Sequence, residues 1–237
     1  MGAGGFSMLV AAPGILTVRI AHLFEEAVGL DPDPAMLAEG RRAAYERGIT
    51  NICWVQAVAE DLPGAAPRPY GVVTFGQSFH WTDEARVAEA VCDMLEPGAL
   101  ALIVHTVEGR PAPPSPGHRR SRTQRSRRWW RSISDQPGAP ARASRRFEPT
   151  ASKTSLFAPG SVRPWAIFAP GIPDLLRDSE SVLSGYFSMS SSAPHLFGDR
   201  VEDFASEVRA LVRSRSPEGI FWDWPGDTEV ILARTPG

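Results

Sequence analysis

Apolar positions along this chain change their spacing from helix-like to strand-like and back. Leu16, Ile20, Leu23 and Phe24 fall at helical intervals and predict one buried helical face. The short apolar run Ala27-Val28-Gly29-Leu30 ends at Asp31 and predicts a buried strand. Asp33-Pro34 then has the form of a helix start, with Asp33 as the cap and Pro34 at the first helical position. Met36, Leu37, Gly40 and Ala44 form the inner face of that helix, and Gly48 ends it. Further strands are predicted over Asn51–Val55, Gly71–Phe75 and Leu100–His105. Between the last two, Glu84–Leu95 reads as a helix with Val87, Ala90, Val91 and Met94 inward. Strands that alternate with helices predict an α/β fold, a Rossmann-like, doubly wound and mostly parallel sheet covered on both faces.

The rhythm breaks after Val107. From Glu108 to about Pro164 the sequence is rich in Pro, Arg and Ser and shows no period. It becomes patterned again towards the C-terminus. There Val201–Val212 reads as an amphipathic helix with Val201, Phe204, Val208, Leu211 and Val212 on one face. Gly219–Trp224 and Thr228–Arg234 read as two strands joined by Pro225-Gly226-Asp227, a hairpin that would give the sheet an antiparallel C-terminal strand pair. The expected division is a cofactor-binding half over 1–110, an Arg/Pro-rich insertion or cap over 111–168, and a part completing the sheet and the substrate side over 169–237.

Composition narrows the class. Of 237 residues 43% are apolar, normal for a globular core, and no apolar run reaches the roughly 18 residues needed to span a bilayer. No charged region precedes the apolar stretch near the start, so a signal peptide is not expected. Cys53 and Cys92 sit in apolar, patterned stretches and read as buried thiols. A cytoplasmic location fits them.

Net charge is −2, but it is unevenly spread. Between Pro111 and Pro173 twelve basic residues face two acidic ones, a balance of +10 that leaves −12 for the remainder. His118–Arg146 alone contains ten Arg, with Trp129-Trp130 among them. Three readings of that block stay open: a basic, aromatic nucleic-acid segment, a disordered insertion, or a shifted reading frame in GC-rich DNA.

In doubly wound sheets ligands bind beyond the carboxyl ends of the strands. Asp31 stands at such an end, 17 residues after Gly14. A carboxylate there accepts both hydroxyls of a ribose; its plainer role is to cap the helix that follows.

The motifs around it resemble class I S-adenosylmethionine-dependent methyltransferases that act on small molecules. Val28-Gly29-Leu30-Asp31-Pro32-Asp33-Pro34-Ala35-Met36-Leu37 resembles their second motif, and Ala59-Glu60-Asp61-Leu62-Pro63 their adenine-side motif. Leu95-Glu96-Pro97-Gly98-Ala99-Leu100 resembles their L-K/E-P-G-G-x-L turn. Gln77-Ser78-Phe79-His80-Trp81 resembles the stretch after the fourth strand in the trans-aconitate-type subgroup. The resemblance covers about Pro13 to Val107 and returns from Ala169.

It implies a role for each matching position. Asp31 would bind the ribose hydroxyls, and Pro32 would flank the adenine. Ala59 and Glu60 would contact the adenine edge. Phe75, Gly76 and Gln77 would line the methionine side. His80 and Trp81 would face the acceptor or the methylsulfonium, Trp81 through its ring face and His80 as the base if the acceptor must lose a proton. For Trp81 the alternative is core packing, and for His80 a capping or hydrogen-bonding role.

One motif departs from the pattern. Where the family has approximately D-x-G-x-G-x-G, this chain has Ser7-Met8-Leu9-Val10-Ala11-Ala12-Pro13-Gly14, and only Pro13-Gly14 match. Met8 holds the acid position, and Val10 and Ala12 hold glycine positions whose emptiness lets the backbone approach the cofactor.

The function implied is methyl transfer from S-adenosylmethionine to a small-molecule acceptor, with no membrane and no metal. An inactive protein of the same fold and a nucleic-acid-binding protein are the alternatives. Gly185–Ser190 and Trp222-Trp224 are aromatic enough to wall an acceptor pocket or to fill a core.

Overall fold

A computed structural model describes residues 7–11, 15–67, 69–106, 162–172, 174–189, 192–216, 218–223 and 225–236. They fall into two compact units. The first holds strands β1 (Ser7–Ala11), β2 (Glu26–Asp31), β3 (Ile52–Gln56), β4 (Tyr70–Gly76), β5 (Leu95–Thr106), β6 (Val162–Ala169) and β9 (Thr228–Arg234). Its helices are α1 (Ile15–Ile20), α2 (Pro34–Glu46) and α3 (Glu84–Met94). The seven strands form one sheet in the order β3-β2-β1-β4-β5-β9-β6. All pairs from β3 to β5 are parallel, and β9 runs antiparallel between β5 and β6. The sheet is therefore Rossmann-like and doubly wound, with antiparallel C-terminal strands.

Alternation along each strand explains the two covered faces. Leu9, Val28, Leu30, Val73, Phe75, Ala101, Ile103 and Ile231 point to one face, where Val87, Ala88, Val91 and Met94 of α3 meet them in the main core. Met8, Ala27 and Val72 point to the other, against Ala21, Leu16, Ile20 and Phe24. Asp33 caps α2 by accepting the Ala35 amide at 2.9 Å, and Gly48 leaves it with φ +65, as the sequence predicts.

Trp54 is wedged between β2 and α2. A Cβ built on Gly29 would lie 2.6 Å from the indole, and so would one built on Gly40. Real Cβ atoms do not come that close, so both glycines are there to admit the ring. This yields an expected reversal. Gly→Ala inside a helix ordinarily stabilises by about 1 kcal/mol. Gly40→Ala instead forces the indole to shift and destabilises by about 1–3 kcal/mol. Urea unfolding measures it, and a midpoint above wild type would show that the ring yields freely.

Three expectations are corrected here. Leu23 does not complete the first helical face: α1 ends at Ile20, the chain tightens into a single 3-10 turn over Ala21–Leu23, and the change of phase buries Ala21 and exposes Leu23. Cys53 is exposed and Cys92 only half-buried. Cys53 alternates with Trp54 on the sheet-edge strand β3, and β3 leads into a single turn instead of a helix that would cover its second face. The C-terminal hairpin does not form. β9 inserts between β5 and β6, and Phe221–Asp223 (β8) pairs elsewhere.

The second unit holds β7 (Leu175–Arg177) and β8 (Phe221–Asp223) as an antiparallel pair, with α4 (Ser179–Phe187) and α5 (Val201–Arg213). Arg177 donates to Asp223 at 2.6 Å across the pair. Phe204, Ala205, Val208 and Val212 of α5 pack on Val182 and Leu183 of α4 and on Phe221. Arg209 joins Glu180 of α4 to Glu202 of α5, and its hydrogen bond holds the Glu180 carboxyl below the usual carboxylate range. Trp222 is fully buried and Tyr186 packs against the core cluster. The core reading thus accounts for those two aromatics. Trp224 and the Arg-rich block His118–Arg146 lie outside the described residues.

Candidate functional site

The sheet reverses its winding at β1, which has β2 on one side and β4 on the other. Such a switch point opens a crevice at the carboxyl ends of the strands. Register sets what stands there. Ala11 is level with Leu30 and Phe75, so Asp31 and Gly76 lie one residue beyond the end of β1, and Asp31 is level with Gln56 of β3.

Asp31 is half-buried, and its Oδ1 accepts the Asp33 amide at 2.7 Å. This bond fixes the carboxylate at the strand end, and the capping of α2 falls to Asp33. The capping role left open for Asp31 thus falls to Asp33. The Asp31 carbonyl accepts the Ala57 amide at 3.2 Å, and Gln56 donates through Nε2 to the Pro32 carbonyl at 3.3 Å. These bonds tie the exit of β2 to the exit of β3. Pro32 is exposed beside Asp31. Ala59 is buried at the start of the single turn Ala59–Asp61. Glu60 follows in the same turn, its Oε1 accepting the Asp83 amide at 2.8 Å just before α3.

On the β4 side the backbone is unusual. Gln77 has φ 58, a left-handed conformation that costs a non-glycine residue roughly 1 kcal/mol or more. Its amide donates to the Val104 carbonyl at 2.9 Å, and its Nε2 donates to the Thr106 hydroxyl at 2.8 Å. Both bonds hold it against the end of β5. Gly76 brings the chain close to α1, where an added Cβ would stand 3.2 Å from Leu16. Phe75 sends its ring into the main core, 2% exposed, edge-on to Phe79 at 5.0 Å. Only its backbone faces the crevice end of β4.

His80 and Trp81 follow on a single turn anchored by the buried Phe79. Their rings lie 5.0 Å apart at 44°, and Trp81 is 47% exposed. Core packing therefore does not explain Trp81. Gly14 lies outside the described residues, as do Ala12 and Pro13. Met8, at the position where the resemblance expects an acid, is fully buried against Ala21 and Ala27.

One pair at the sheet end escaped the sequence reading. His105, near the end of β5, is level with Glu229 of β9, and its Nε2 lies 2.6 Å from the Glu229 carboxylate. The signal in sequence is only a histidine ending an apolar strand; its partner comes from a strand far along the chain. Among the described residues no cluster of His, Cys, Asp and Glu has the make-up of a metal site, and no helix is long and apolar enough to cross a membrane.

Residues 9–98 match the family described as a methyltransferase domain. The match covers less than half of the chain, and over that stretch the chain is similar to methyltransferase domains. It is similar to the probable S-adenosylmethionine-dependent methyltransferase CRG1 of Saccharomyces cerevisiae, 29% identical over 35% of this chain and 28% of that protein. It is also similar to an uncharacterized methyltransferase of Mycobacterium tuberculosis, 32% identical over 43% of this chain and 40% of the relative. The chain thus spans less than half the length of these curated relatives. Among solved structures, a protein from Bacillus halodurans assigned to the methyltransferases shares the fold. It has a TM-score of 0.51 and 16% identity, and the match covers 99% of this chain and 94% of that one.

Proposed function

We propose that this domain binds S-adenosylmethionine at the carboxyl ends of β1, β2 and β4 and donates its methyl group to a small-molecule acceptor. The observation that carries the reading is Asp31, a carboxylate held by a backbone amide at the exit of β2, beside the switch point. A fixed acceptor in that place suits the two hydroxyls of a ribose. Ala59 supports it, because a small buried side chain leaves the turn's backbone to meet a flat base. The similarity to the probable S-adenosylmethionine-dependent methyltransferase CRG1 supports the same cosubstrate.

When bound, the sulfonium supplies an activated methyl group, and the protein's task is alignment. Gln77, strained and bonded twice to β5, is held rigidly where the methionine portion would lie. Strain of this kind gathers at sites where geometry matters more than stability. The exposed His80–Trp81 pair is the side from which an acceptor would approach. Trp81 offers a ring face to the sulfonium charge, and His80 is the base for an acceptor that must lose a proton.

Calorimetry tests this reading. Titration of the folded chain with S-adenosylhomocysteine is expected to give one site with a dissociation constant of about 10–100 μM, weakened by Val10 and Ala12 at two of the family's glycine positions. A folded protein that evolves no heat at millimolar ligand would instead mark a methyltransferase fold without the activity.

A further inference from the structure

Among the described residues β6 closes one edge of the seven-stranded sheet. Edge strands are normally blunted by charge, proline or a bulge. Here the register slips between Val162 and Trp165, and prolines stand at 164 and 170. Between them lies Trp165-Ala166-Ile167-Phe168-Ala169, with no charge and with every residue exposed. Trp165 is 41%, Ile167 53% and Phe168 58% exposed. Such a strand offers a row of backbone donors and acceptors with large apolar side chains beside them, so its partner must be another extended strand.

We propose that this partner is β6 of a second copy, paired antiparallel about a two-fold axis through Ile167. Symmetry and side-chain size together favour that register over one centred on Ala166. A two-fold normal to the sheet must pass through a residue, because directly opposed residues share a face. Centred on Ile167, Trp165 faces Ala169 of the other copy and Ala166 faces Phe168. Ile167 meets its own equivalent. Each aromatic ring therefore opposes a methyl group, and the brackets Pro164 and Pro170 also fall opposite each other. No like charges meet anywhere in the window. Centred on Ala166 instead, Trp165 would face Ile167 and Phe168 would face Pro164, crowding bulk against bulk.

The size of the contact sets its strength. Three side chains of roughly 150–250 Å², about half exposed, present roughly 300 Å² per copy. Two copies stay below the ~1,200 Å² of a standard complex. The dimer is therefore weak and depends on concentration, with a dissociation constant of roughly 10–100 μM. It is independent of the cofactor and of the methyl-transfer reading.

Sedimentation velocity on the full chain, followed over a hundredfold concentration range around ~10 μM, reads it directly. A monomer–dimer equilibrium is expected. Ile167→Lys should weaken it at least tenfold, whereas Leu23→Lys, at an exposed apolar position elsewhere, should leave it unchanged. Circular dichroism checks that both variants fold. The register has its own test. With Cys53 and Cys92 replaced by Ser, Ile167→Cys should form an intermolecular disulfide under mild oxidation, and Trp165→Cys should not, because only residue 167 faces itself at the ~5 Å Cβ spacing of a strand pair. A monomer at every concentration, a dimer indifferent to Ile167→Lys, open-ended aggregation, or equal cross-linking at 165 and 167 would each overturn the proposal.

Discussion

Asp31→Asn should weaken binding of S-adenosylhomocysteine about 10- to 100-fold while leaving the fold's stability nearly intact. The two halves of that expectation come from the two carboxylate oxygens. Oδ1 accepts the Asp33 amide at 2.7 Å and sets the exit from β2 into the turn before α2. An asparagine keeps an oxygen for that bond, so the turn survives. What it loses is the charge and one acceptor, replaced by an NH₂ group that has nothing to accept from a ribose hydroxyl. A hydrogen bond to a charged group contributes about 1.5–3 kcal/mol, which is one to two decades of affinity. Asp31→Ala should lose the same affinity and in addition about 1 kcal/mol of stability, because the Asp33 amide is then left without its acceptor. Calorimetry and thermal melting on the two variants separate the effects. Wild-type affinity in the asparagine variant would remove Asp31 from the ribose site.

That variant pair also shows where sequence reading reached its limit. Asp31 could be placed at a strand end because Ala27–Leu30 is an uninterrupted apolar run and Asp33-Pro34 a helix start. The sequence could not assign capping to Asp33 and leave Asp31 for other work; that division lies in which carboxylate meets which amide. The family resemblance implies a place for Gln77 in the site, but its left-handed backbone has no sequence signature, because glutamine has no preference for it. Strand β6 was missed because Trp165–Ala169 is buried on neither face, so it lacks the alternation that reveals a half-covered strand. The hairpin expected between Trp224 and Thr228 failed for a related reason. Pro225-Gly226-Asp227 signals a turn, but a turn does not determine whether the flanking strands pair with each other, and β9 finds longer partners in β5 and β6. The His105–Glu229 pair depends on the same placement of β9.

Phe75→Ala should produce the largest loss of stability among changes near the site, about 3–5 kcal/mol. The ring is 2% exposed, meets Phe79 edge-on at 5.0 Å, and belongs to the cluster that joins β1, β2, β4 and β5 to α3. Truncation leaves a cavity bounded by strands on one side and α3 on the other, and neither can collapse into it without breaking its register. Domains of this size are stable by about 5–15 kcal/mol, so such a loss brings the variant near its unfolding threshold. Chemical denaturation reads the loss directly, and an unfolding free energy within a few tenths of a kcal/mol of wild type would place the ring outside the core. The same change reaches the site by a second route. Phe79 is the buried anchor of the turn that carries His80 and Trp81, and Phe75 is the ring it packs against. Phe75→Leu restores most of the volume and should recover most of the stability, but a leucine cannot reproduce the T-shaped ring contact with Phe79. Catalysis in that variant should therefore fall further than cofactor binding does, because in the proposed reading the turn presents the acceptor side while Asp31, held by the Asp33 amide, stays where it was.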